Sequence, residues 1–510
     1  MRCFSISIFR IILIDVVLYF LPSRLKKFIQ RILIILGSLM FVVDFFAVFY
    51  YGTPFNGAMM QIIFLTATLR EAFEFSSTYL NLKFIIYTFC ALTVVIIIKY
   101  ILLKILSLHK FLPVIFVSCS IFAGFAGSVF IYQTGYFTEP FNNIAPIRLY
   151  QTYLLIRDDN KNYEDFFKLM PKEILLTENK STIPYFIFIL GESTTRNHMS
   201  LYDYNLNTNP KLSIRAKNSE LYIFRDTVSP HDTTSKCMKE IFTFHNYESK
   251  KDWAEHVNLI QILNKANYNT ICLSNQDHTG FGNILLFFAD QYKKSRYTKL
   301  RDMFSVSCPF DGELLKLLDQ EIQDINDGKN FILLHPIGGH FAYKVRYPEE
   351  FNKFSYADEK GYNGISKAQK QMRAEYDNAI LYNDFVIDEI IKRFENKNAI
   401  VIYISDHGEE VFDDSAMNGH GMGNTPRRTK NLFEIPFIIW VSDEFKNNYP
   451  ELCEKIKNSV DLPYMTDDII HTVLDILEIK TPDYDPTRSI INEKFNFNRK
   501  RIIGGKIYEK

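Results

Sequence analysis

The chain has 510 residues, 58 Lys and Arg against 58 Asp and Glu, and 47% hydrophobic residues. Its 45 Phe and 30 Tyr carry far more burial potential than a disordered protein has, and its length excludes a single small domain. Residues 1–135 hold 11 basic and four acidic side chains, leaving 47 and 54 for the remainder, and a basic, apolar first quarter points to a membrane rather than to nucleic acid.

A bilayer core of about 30 Å takes roughly 20 apolar residues in a helix. Four stretches qualify: 4–22, 32–51, 84–107 and 111–132. The shorter run 57–69 is followed by Arg70, Glu71 and Glu74, charges too costly for a bilayer centre, so 57–80 reads as an interfacial or re-entrant helix. Basic residues in short loops orient the spans. Arg24, Lys26, Lys27 and Arg31, then Lys104 and Lys110, place the first and third connections in the cytoplasm. Everything after residue 132 then faces outward. The expected organisation is a transmembrane domain at 1–135, a connector at 136–180 and an outward-facing catalytic domain at 181–510.

After the connector, short apolar runs alternate with amphipathic stretches, the pattern of a mostly parallel sheet covered by helices. Strands are expected at 185–190, 270–274, 330–334 and 399–404, each continuously apolar as when both sheet faces are buried. Ligands in such sheets bind beyond the carboxyl ends of the strands. Those ends carry Gly191-Glu192-Ser193, Ser274-Asn275-Gln276, His335 to His340, and Ser405-Asp406-His407. Two acids with imidazoles on one rim form a ligand set for zinc or a similar divalent ion. A hydroxyl at a helix start beside that ion is a candidate nucleophile, and Thr233 and Thr234 in SPHDTTSKCM (229–238) qualify equally as nucleophile and as N-cap. The seven cysteines contain no CxxC pair, and only Cys237, Cys272, Cys308 and Cys453 lie where pairing is open.

These residues resemble a known family, the membrane-bound phosphoethanolamine transferases of Gram-negative bacteria, within the alkaline phosphatase/sulfatase superfamily. The resemblance is carried by GESTTRNHMSLYDYNLNTNP (191–210), SPHDTTSKCM, LSNQ (273–276), HPIGGHFAY (335–343), YDNAILYNDFVIDEII (376–391), SDHGEE (405–410), NGHGMGNTP (418–426) and EIPFIIW (434–440). It implies an α-helical transmembrane domain followed by an α/β alkaline-phosphatase-like domain in the periplasm, anchored in the inner membrane by several spans. The activity it implies is transfer of phosphoethanolamine from phosphatidylethanolamine to lipid A or another surface glycan through a covalent phospho-threonine. The implied metal ligands are Glu192, Thr234, Asp406 and His407, with Thr234 the residue modified. His340 and His420 match two further histidines, a leaving-group site or a second zinc. Asn275 and Gln276 match a motif near the substrate. Thr68, Glu71 and Glu74 approximate the family's outward-facing headgroup stretch, with Thr68 in place of the usual Asn. The family usually has five transmembrane helices against four expected here. Two alternatives stay open on the same fold: transfer of phosphoglycerol, and hydrolysis of sulfate or phosphate esters. Against the second, Thr234-Ser-Lys-Cys-Met lacks the Pro and Arg of a sulfatase nucleophile motif.

Overall fold

The computed structural model describes residues 82–107 and 168–510 apart from 277–287, 289, 299–308, 326–327, 416, 422–428, 504–505 and 510, with Phe166 and scattered residues between 22 and 46. Two compact units result, one drawn from the first 155 residues and one mainly from 156–510. In the first, helix α1 (Leu82–Ser107) coincides with the third expected span, although most side chains of its second half lie outside the description. Among the residues described with their side chains, no helical stretch is long and apolar enough to cross a membrane. The stretches 57–80 and 111–132, with Thr68, Glu71 and Glu74, fall outside the described residues, as does 4–22 up to residue 21.

In the second unit each expected strand forms, one residue longer at one end. These are β1 (Tyr185–Gly191), β3 (Asn269–Ser274), β5 (Asn330–His335) and β6 (Ala399–Ser405). They pair in parallel as β6-β1-β5-β3. Three strands not anticipated complete a seven-stranded sheet: β2 (Leu221–Phe224), β4 (Lys294–Tyr297) and β7 (Phe437–Val441), in the order β2-β7-β6-β1-β5-β3-β4. Only β7 runs antiparallel to its neighbours. The edge strands β2 and β4 have four residues each and are only partly buried, too short to leave a periodic signal in the sequence.

A strand sends successive side chains to opposite faces, and the core divides accordingly. Phe186, Phe188 and Leu190 join one apolar cluster, and Ile187 and Ile189 the other. All five are fully buried, each contributing about 2 kcal/mol of apolar burial. The long helix α6 (Lys367–Lys392) covers the second face and starts with a capping box of Ser366 and Gln369. Its buried polar residues tie down loops: Tyr376 donates to the Ser193 carbonyl at 2.8 Å and accepts from Thr195 N at 3.0 Å. Cys237, Cys272 and Cys453 are free thiols.

Beneath α6 lies a buried charge cluster. His198 Nδ1 meets Asp377, and its Nε2 lies 3.1 Å from Asp413. Burial opposes charge on this ring, but the carboxylates of Asp413 and Asp377 outweigh it and push His198 up to about 9. A histidine raised from about 6.5 in the unfolded chain contributes stability fully present below pH 6.5 and lost as pH rises through 9, about 3 kcal/mol in all. Thermal melting is therefore expected to drop between pH 6.5 and 9.5, and His198→Asn to flatten that slope; an unchanged slope in the variant contradicts the assignment.

Candidate active site

Register builds this site. Gly191 pairs with Ser405 across β1 and β6, so the next residues, Glu192 and Asp406, emerge side by side. Asp406 N donates to the Gly191 carbonyl at 3.0 Å, and Ser193 N donates to Asp406 Oδ1 at 3.1 Å. Ser193 takes a left-handed conformation with φ of 53°, uncommon for a residue with a side chain and held here by those contacts. The loop after β5 closes over Glu192: Gly338 has φ of 50°, and a Cβ there would stand 2.6 Å from the Glu192 carbonyl. Only glycine fits.

Thr234 opens helix α3 (Thr234–Ile241), with Thr233 as an N-cap whose side chain makes no capping bond. The Thr234 hydroxyl sits 3.1 and 3.2 Å from the two Glu192 carboxylate oxygens and 3.2 Å from His407 Nε2. Thr234, rather than Thr233, is the hydroxyl that reaches these groups. His407 Nδ1 donates to the Gly408 carbonyl at 2.8 Å, which turns Nε2 toward the carboxylates.

Glu192, Asp406 and His407 offer ligand atoms within 4.8 Å of one another, and all three are buried. Asp406 Oδ1 accepts from His407 N at 2.7 Å, whereas the buried Asp406 Oδ2 has no hydrogen-bond partner. Burial and the Glu192 charge push Asp406 up to about 7. Burial works the same way on Glu192, yet His407 holds it well below the usual carboxylate range. Against its own burial, the His407 ring is driven up to about 10 by the two acids. Two buried carboxylates, one orphaned oxygen and one inward-facing imidazole nitrogen fit a divalent cation, whose charge does what a shared proton does here.

The remaining expected residues divide. The His420 ring lies tilted by 48° against His407 with centroids 4.3 Å apart, and the His340 ring centroid lies 5.8 Å from that of His420. Gln276 reaches the site, its Nε2 3.1 Å from Glu192 Oε2. Asn275 turns away, its amide donating to the Pro309 carbonyl at 2.9 Å and to Asp311 at 2.7 Å. Sequence reasoning missed Glu409, which groups with His407 and His420 as a second potential metal triad and holds His420 Nδ1 at 2.5 Å. Its signal was the acid pair of SDHGEE, where only the other acid, Glu410, is spent on backbone amides of Asp413 and Asp414.

A parallel sheet with a hydroxyl and a two-acid, one-imidazole centre at its carboxyl rim defines the alkaline-phosphatase-like class. The sulfatase family profile matches residues 184–479, and the chain belongs to that family. Within it, the relatives are phosphoethanolamine transferases. Phosphoethanolamine transferase EptC of Escherichia coli strain K12 is 28% identical over 498 residues, 94% of this chain and 84% of that protein. Kdo(2)-lipid A phosphoethanolamine 7''-transferase of the same organism is 27% identical over 310 residues, covering 59% and 52% respectively. The crystal structure of the C-terminal periplasmic domain of E. coli EptC in complex with Zn superposes with a TM-score of 0.60 and 31% identity, over 67% of this chain and 95% of that one.

Proposed function

We infer that the chain is a metal-dependent phosphoethanolamine transferase, and we propose phosphatidylethanolamine as donor and lipid A or another surface glycan as acceptor. The observation that carries this reading is the Thr234 hydroxyl lying within 3.2 Å of both Glu192 oxygens and His407 Nε2.

Glu192, Asp406 and His407 would hold one zinc in this reading, with Thr234 completing the set. A zinc ion there would supply Lewis acidity and ease loss of the Thr234 proton. Thr234 Oγ1 attacks the donor phosphorus, the phosphorus–glyceride oxygen bond breaks, and diacylglycerol leaves with a proton. Phosphoethanolamine stays on Thr234 until an acceptor oxygen displaces it and the threonine oxygen takes back a proton. The positive end of the α3 helix dipole, at Thr234, favours the negative phosphoryl oxygens. Glu409 fixes His420 through Nδ1, so Nε2 is the atom left to give and recover the proton; His340 stands beside it as a second acid or ligand. Gln276 lies on the headgroup side in this reading, whereas Asn275 is held away by the Pro309 carbonyl and Asp311.

The family resemblance and the basic, apolar residues 1–135 support an inner-membrane anchor with 181–510 in the periplasm and 136–180 between them. Confining enzyme and two amphiphilic substrates to one surface raises their effective concentration. Mass spectrometry of lipid A incubated in vesicles with phosphatidylethanolamine and the purified chain is expected to show a phosphoethanolamine increment that chelation abolishes and zinc restores. No increment on any glycan acceptor overturns the substrate class, and turnover indifferent to chelation overturns the metal.

A further inference from the structure

Beside the metal centre lies a buried polar group that the reading above does not use. His335, the last residue of β5, is buried, and its register partner on β3 is Ser274. Two residues on, past the end of the strand, comes Gln276. The Gln276 side-chain nitrogen is ringed by three acceptors: Glu192 Oε2 at 3.1 Å, His335 Nε2 at 3.3 Å and the Pro336 carbonyl at 3.4 Å. A carboxylate and a carbonyl only accept, so the group between them is the NH2 end of the amide. His335 Nε2 must then accept as well, which puts the ring proton on Nδ1, 3.3 Å from Ser274 Oγ. Ser274 Oγ in turn accepts from the Gln276 backbone N at 3.1 Å. The loop closes on itself: Ser274 orients His335, His335 orients the Gln276 amide, and that amide fixes one oxygen of Glu192.

We propose that His335 is a positioning residue for the metal centre, acting through Gln276 to set the orientation of the Glu192 carboxylate. It touches neither Thr234 nor the carboxylates of the site directly. Without it, the Gln276 NH2 loses one of its three acceptors and is held only by Glu192 and the Pro336 carbonyl, so its donor is aimed less firmly at the Glu192 carboxylate. Partners of this kind in the layer behind metal ligands typically change metal affinity by about 10- to 100-fold.

This rests on Glu192 being a metal ligand, and the test separates the two ideas. Zinc affinity of the purified full-length protein is measured by competition with a chromophoric chelator for wild type, Glu192→Gln, Gln276→Leu, His335→Leu, the Gln276→Leu/His335→Leu pair, and His335→Gln. Expected are weakening of about tenfold or more in Gln276→Leu and His335→Leu, no further loss in the pair because both act through one contact, and near-wild-type affinity in His335→Gln, whose amide oxygen replaces the lost acceptor. Wild-type affinity in His335→Leu, or losses that multiply in the pair, overturns the proposal while a weakened Glu192→Gln keeps the metal site. Unchanged affinity in Glu192→Gln overturns the metal site itself. Should His335→Leu not fold, His335→Gln decides against Gln276→Leu: a loss as large in the former refutes the positioning role.

Discussion

Thr234→Ala is expected to lower kcat by about 10⁴-fold or more, the usual cost of deleting a covalent nucleophile. The same substitution one residue earlier serves as the internal control. Thr233 makes no capping bond and its buried Oγ1 has no hydrogen-bond partner, so Thr233→Ala is expected to stay within a few-fold of wild type. Thr234→Ser keeps an oxygen at the same place and is expected to retain measurable turnover. Incubating wild type with phosphatidylethanolamine and no acceptor, then digesting and weighing peptides, is expected to put a phosphoethanolamine adduct on the peptide carrying Thr234. Equal losses from both alanine substitutions, or an adduct that persists in Thr234→Ala, refutes the nucleophile assignment.

The second large effect is on stability and lies away from the chemistry. Arg373 on α6 is buried; its Nε donates to Glu359 at 2.9 Å, its terminal nitrogen donates to the Val411 carbonyl at 2.8 Å and pairs with Asp413. Asp377 and His198 complete the same cluster. Arg373→Leu leaves the buried Glu359 and Asp377 and the partly buried Asp413 facing one imidazole and is expected to cost about 3–5 kcal/mol, the range for a broken buried ion pair. Arg373→Lys is not expected to rescue it, since a lysine supplies one point charge where the guanidinium bridges two carboxylates and a carbonyl. Equilibrium denaturation of the purified protein reads the difference. A loss below about 1 kcal/mol shows that the cluster relaxes or hydrates, contrary to this account.

Neither Arg373 nor His198 signalled this in the sequence. An arginine in an amphipathic run reads as a solvated face, and its partners lie 14 and 40 residues away. The central strands were legible for the opposite reason: a run such as Tyr185 to Leu190 is apolar at every position, which only a sheet buried on both faces accommodates. β7 escaped as a strand although Phe437 to Val441 is equally apolar, because nothing local marks an antiparallel insertion between two parallel-running neighbours.

What the amino-acid order determined by itself is the chemistry delivered to each strand end: Glu192, Gln276, His335 and the Asp406-His407 pair follow apolar runs whose length and periodicity are local properties. Which groups meet was decided only by the tertiary structure. The Gly191–Ser405 register sets Glu192 against Asp406, the start of α3 presents Thr234 rather than Thr233, and hydrogen bonds turn Gln276 inward while holding Asn275 away. Those choices depend on contacts across 36 to 213 residues of chain, and no window of sequence contains both partners of such a contact.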